Sequence, residues 1–209
     1  MDDVTGDPLE GVIIVAQWEL VHEVIPMLVN QRNGDTLKII EVVSDKEGKY
    51  FIPGWGPLLR PLFFHLEERD PSIVFFKSEY YPQGTSNEIR SQYSRNSVRT
   101  SQINGETIRL RKFTGQPQQY VVRQGRLSYT LEKKGTLEEY ASDVRNLQIN
   151  LNWDKENGDW RNYPRMILAL GQERERLKAA GLAIVRIQRP SSLYGGKEVV
   201  DQFLKEYEN

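Results

Sequence analysis

Apolar residues recur with two different periods along this chain. Up to about residue 113 they form short runs separated by Gly, Pro, Asn and Asp; beyond it they return every three or four positions. Short runs bounded by turn formers predict strands near residues 11–20, 36–44, 49–52, 73–78 and 107–113. In the last of these, Ile108, Leu110 and Lys112 alternate with Arg109, Arg111 and Phe113, the pattern of a strand with one buried face. Gly6-Asp7-Pro8 places a tight turn ahead of the first run. Asp45-Lys46-Glu47-Gly48 is a polar link that predicts a hairpin between 39–43 and 50–52. Two long insertions, 22–35 and 81–106, interrupt the strands; the second is too polar to bury much and reads as a surface excursion.

In the second half, residues 120–123 and 126–130, joined by Gln124-Gly125, predict one more hairpin. Thr136-Leu137-Glu138-Glu139 has the form of a capping box, in which hydroxyl and carboxylate satisfy the free amides of a helix start. Leu137, Tyr140, Ala141, Val144, Leu147 and Leu151 then share one helical face. A second helix is expected over 163–180, with Pro164 in its first turn and Gly181 ending it. Met166, Ile167, Leu170 and Leu177 form its stripe, and Glu173-Arg174-Glu175-Arg176 reads as a solvated face. A strand over 182–187 and a closing helix carrying Val199, Val200, Phe203, Leu204 and Tyr207 complete the reading. The division that follows is a β-rich unit, 1–115, and a hairpin with helices, 116–209, packed on it.

Composition mainly excludes. The 209 residues contain no cysteine, which removes disulfides, thiolate nucleophiles and thiolate metal sites. Lys plus Arg number 28 against 29 Asp plus Glu, a net charge of −1, so no nucleic-acid partner is expected. No apolar run reaches the roughly 20 residues of a membrane helix. The first residues read as the inside of a strand, the pattern that a removed leader or lipoprotein anchor would leave, and this gives an expectation of export with a possible membrane tether.

Candidate chemistry is sparse. His22 and His65 are the only histidines, and neither sits in a metal-binding spacing. Asp154, Glu156 and Asp159 crowd one loop but lack the register and closing glutamate of a calcium loop, so no metal is expected. No phosphate loop, dinucleotide fingerprint or nucleophile elbow occurs, so no cofactor is expected either. Binding is the better supported class. Four tryptophans, Trp18, Trp55, Trp153 and Trp160, could stack on sugars. Arg109 and Arg111 belong to a basic stretch, 85–134, interleaved with aromatics that suits an anionic polymer.

The turn-and-strand segments 6–15 and 44–53, the run 73–80 followed by Tyr81-Pro82, and the strand 107–113 resemble the carboxypeptidase regulatory-like family. The resemblance covers about half the chain. It implies an antiparallel, transthyretin-like (Ig-like) β-sandwich, here mainly β with added α, serving as a non-catalytic scaffold or interaction module of the periplasm or cell envelope. It implies a protein or polysaccharide partner and carries over no catalytic residue. The alternative is a polysaccharide-binding module using the tryptophans. A third reading, a hydrolase, would need His22 or His65 beside a carboxylate in a closed pocket.

Overall fold

Seven residues in the strand Ile13–His22 (β1) are β-branched or otherwise apolar; of these, Ile13 and Val15 enter one core and Ile14, Ala16 and Trp18 another. The computed structural model describes residues 1–22, 35–56, 64–66, 70–86, 103–116, 118–124, 127–151, 159–182 and 197–207. β1 is the centre of a five-stranded sheet. On one side it pairs antiparallel with β2 (Asp35–Val43), Ile13 lying opposite Val43 and Gln17 opposite Ile39. On its other side lie two short strands, β3 (Phe64–Leu66) and β4 (Ser72–Phe76). β5 (Gln83–Ser86) extends the sheet beyond β4.

β3 and β4 act as one interrupted partner for β1. Leu66 lies opposite Leu20 and Ser72 opposite Gln17, so residues between them are extra to the ladder. The Asp70-Pro71 peptide, which is cis, sits at this break. Proline offers no N–H to the ladder, and the Asp70 carboxylate stands in for the missing backbone acceptor: Glu19 N–H donates to its Oδ2 at 2.7 Å. Neither β3 nor β5 was expected from the pattern of apolar residues.

The rest of the chain follows the helical expectation closely. A hairpin of β6 (Gln118–Gln124) and β7 (Leu127–Lys133) forms a two-stranded sheet of its own. α1 (Leu137–Asn150) begins with Glu139 N–H donating to the Thr136 hydroxyl, one half of a capping box, while the Glu139 carboxylate accepts from Gly135 N–H, one residue before the N-cap. Gly135 has φ +76°, and a Cβ there would lie 2.1 Å from the Gln116 carbonyl oxygen. α2 (Pro164–Ala179) follows a 3-10 turn, Asp159–Asn162, and α3 (Lys197–Lys205) closes the chain. The expected strand over 182–187 lies, apart from Leu182, outside the described residues, as does most of the two long insertions.

The architecture is α+β, with helices on one face of an antiparallel sheet. On that face Val15, Ile39, Val74 and Phe76 meet Tyr140, Val144, Leu147, Met166, Ile167 and Leu170 in one core, so residues from both sides of the 115/116 boundary share it. On the other face Ile14, Ala16, Ile73 and Phe75 meet Leu9, Val12, Tyr80 and Leu110. Among the described residues the layer over this second face is built of loops. Two expected strands are absent from it. The turn after β2 closes as predicted, with Asp45 N–H on the Lys49 carbonyl at 2.9 Å, but Tyr50 and Ile52 turn onto the sheet face instead of pairing with the outer edge of β2. Residues 107–113 make single bridges only, Asp2 with Leu110 and Tyr80 with Lys112, because this segment is shared between two different neighbours.

Two buried carboxylates tie helices to the sheet. β1–β2 register puts Glu41 opposite Val15, on the helical face, where its oxygens accept the Arg165 and Met166 N–H groups at 3.2 and 2.8 Å. The first turn of α2 has no side-chain cap of its own, so the sheet supplies it. Glu173 corrects the expectation of a solvated charge run: it has no exposed surface. It accepts from Arg176 Nε and Nη2 at 2.9 and 2.5 Å, and from the Ser78 hydroxyl just past β4. Arg174 and Glu175 stay on the outer face.

Glu41→Ala removes both acceptors and is expected to cost about 1–2 kcal/mol, the scale of a lost helix cap; Glu41→Gln keeps one and should cost less. Burial raises the Glu41 pKa against the pull of the two amides, so the neutral acid is the form the fold favours. The advantage of wild type over E41Q should be greatest at acid pH and shrink as pH rises through that raised value, read by urea unfolding. Burial, then the Glu139 and Asp143 carboxylates, push the Tyr81 phenol up to about 12. Its contribution is complete below the ordinary value of 10.0 and is lost as pH rises through about 12. Tyr81→Phe should therefore flatten the alkaline loss of stability.

Candidate ligand cleft

The turns on either side of β1 and β2 meet. Val12 N–H donates to the Ser44 hydroxyl at 2.9 Å, that hydroxyl donates to the Leu9 carbonyl at 2.6 Å, and Gly11 N–H donates to the Ser44 carbonyl at 3.0 Å. Gly48, at φ +70°, closes against the same segment: a Cβ there would lie 3.0 Å from Leu9 N and 3.1 Å from Pro8 Cβ. This contact forms one end of a cleft of about 950 Å³ over the second face of the sheet.

Alternation along the strands decides what the cleft offers. Ile14 on β1 and Ile73 and Phe75 on β4 form its floor, and segment 50–55 forms one wall. Tyr50 packs edge-on to Phe75, ring centres 5.7 Å apart, and burial raises the pKa of its hydroxyl. Phe51 is 78% exposed at the rim, an aromatic surface left in water. Ile103, Ile108 and Leu110 form the opposite wall. At the far end Trp18 and Trp55 pack edge to face, centres 5.2 Å apart and planes 79° apart, and Asp70, 4% exposed, lines the same end. A mostly apolar concavity with a few fixed polar groups is the form that small-molecule sites take, and its size falls in their usual range.

The structure brings together two of the sequence-selected residues and separates the others. Trp18 and Trp55 share the cleft. Trp160 has no exposed surface, its ring lying edge-on to Phe203 at 5.3 Å in the helical core, so it offers no face for a sugar. Trp153, Asp154 and Glu156 lie outside the described residues, and Asp159 opens the 3-10 turn. Arg109 is exposed and Arg111 pairs with Asp3, Nη2 to Oδ2 at 2.5 Å; neither lines the cleft. His22 and His65 are set on paired strands, His22 opposite Phe64 and His65 opposite Val21. Among the described residues no three metal-binding side chains converge, and no helix is long and apolar enough to cross a membrane.

Sequence reasoning missed Asp70, Tyr50, Phe51 and Phe75 as cleft residues. Gly54-Trp55-Gly56-Pro57 and Asp70-Pro71 were the only local signals, both marking places where the backbone turns away from the ladder. Gly48→Ala should destabilise the protein by at least about 1–2 kcal/mol through strain at positive φ and displacement of Pro8. Urea unfolding followed by circular dichroism checks this. Compared with protein-family models, with curated proteins and with solved structures, the chain matches none.

Proposed function

We propose that this protein is a non-catalytic binding module that takes an apolar small molecule in the cleft beneath residues 50–55. One observation carries the reading: among the described residues the second face of the sheet forms a concavity of about 950 Å³ floored by Ile14, Ile73 and Phe75 and walled by Tyr50 and Trp55. Each buried Å² of apolar contact in it is worth about 25 cal/mol to an occupant. A polysaccharide is served less well, since the two indoles at the cleft are nearly perpendicular and give no flat platform.

The carboxypeptidase regulatory-like relationship belongs to the same proposal. Its support is the contact of the two turn segments, 6–12 with 44–48, and the bridges of Leu110 and Lys112 where a second layer of a transthyretin-like sandwich would run. An exported, envelope location and a scaffold role rest on that resemblance alone; fractionation of cells making the full-length gene product tests the location.

N-phenyl-1-naphthylamine, an uncharged dye that brightens in apolar surroundings, should bind saturably at one site. Ile108→Asp, on the cleft wall, and Phe51→Asp, at its rim, should each weaken binding by about tenfold or more while circular dichroism stays native. Non-saturable uptake, or I108D binding as wild type does, would overturn the reading.

A further inference from the structure

We propose that the Trp18–Trp55 end of the cleft is a subsite for an organic cation, a substituted ammonium group carried on an apolar body. This rests on the binding-cleft reading and adds the chemistry of the head group to it. Trp18 and Trp55 are half-buried and 79° apart, so together they present a corner rather than a stack. Indole is the side chain whose π-face attracts a cation most strongly, and the attraction grows where water is excluded.

A second observation stands independently. Asp70, 4% exposed, lines the same end, its Oδ2 held at 2.7 Å from the N–H of Glu19, the residue after Trp18. A carboxylate in a mostly apolar concavity favours a positive occupant and opposes a negative one. Among the described residues, the charged groups lining the cleft are the Glu47, Asp70 and Glu106 carboxylates against the Lys49 and Met1 ammonium groups, a small excess of negative charge. An alkylated ammonium suits this end better than a primary one, because it asks for no hydrogen-bond acceptors and the corner offers faces. Its apolar body would lie over Ile73 and Phe75.

Three probes of matched shape separate charge from bulk: phenyltrimethylammonium, its uncharged isostere tert-butylbenzene, and benzenesulfonate, each titrated as a competitor of bound N-phenyl-1-naphthylamine. The cation should compete at least about tenfold better than the sulfonate. Trp55→Leu, which keeps apolar bulk and removes the ring face, should weaken the cation by about tenfold and the neutral isostere by less than about threefold; Trp55→Phe should restore part of the loss. Asp70→Asn should also narrow the gap between cation and sulfonate. If D70N fails to fold, the Trp55 pair decides. Equal competition by cation and sulfonate, or equal losses of cation and isostere in W55L, overturns the subsite while leaving the cleft standing. Failure of the dye itself to bind overturns the cleft reading beneath it.

Discussion

Burial of β1 on both faces is the constraint on which the other parts depend. Side chains of a strand alternate between faces, so Ile13 and Val15 enter the helical core while Ile14, Ala16 and Trp18 enter the other. Both edges of β1 are hydrogen-bonded as well, to β2 and to the β3–β4 pair. A slip of one residue would exchange the two sets, sending Trp18 toward the helices and Val15 away from them. Register in this one strand therefore decides both where the helices dock and what the cleft contains.

The two faces are covered by different means. Helices cover the first, and α2 is tied to the sheet side by polar groups: Glu41 of β2 caps its start, and Ser78, just past β4, donates to Glu173 within it. Lys133 at the end of β7 binds Asp143 on α1 at 2.7 Å and fastens the hairpin to the same layer. Loops cover the second face. Loops leave their backbone in turns rather than ladders, so they bridge the sheet unevenly, and the gap between the 50–55 and 103–110 segments is the cleft.

The break between β3 and β4 shapes the far end of that cleft. Interrupting the ladder at Asp70-Pro71 leaves a backbone amide that needs an acceptor, and the Asp70 carboxylate provides it. The same carboxylate thereby becomes a fixed polar group beside the Trp18–Trp55 pair. A structural repair of the sheet and the placing of a charge in an apolar site are one feature, which is why removing Asp70 by mutation must be read beside the Trp55 variants.

The sequence by itself determined what is local. Capping-box residues Thr136 and Glu139, Pro164 and Gly181 around α2, and the one-sided stripes of α1 and α2 need only neighbours within a few positions, and all are found as read. Turn chemistry at 45–48 was equally legible, since Gly48 alone fits its φ. Tertiary structure decided the rest. Whether residues 49–52 and 107–113 become strands depends on what else their apolar side chains can reach, and Tyr50, Ile52, Ile108 and Leu110 pack onto the second face of the sheet instead of extending its edge. Glu173 reads as one member of a charged run until Ser78, distant in sequence, is brought against it. Trp18, Trp55 and Asp70 carry no mutual spacing signal, because the pairing of β1 with an interrupted strand is what makes them neighbours. A site assembled across strands is set by register, and register is a property of the whole sheet.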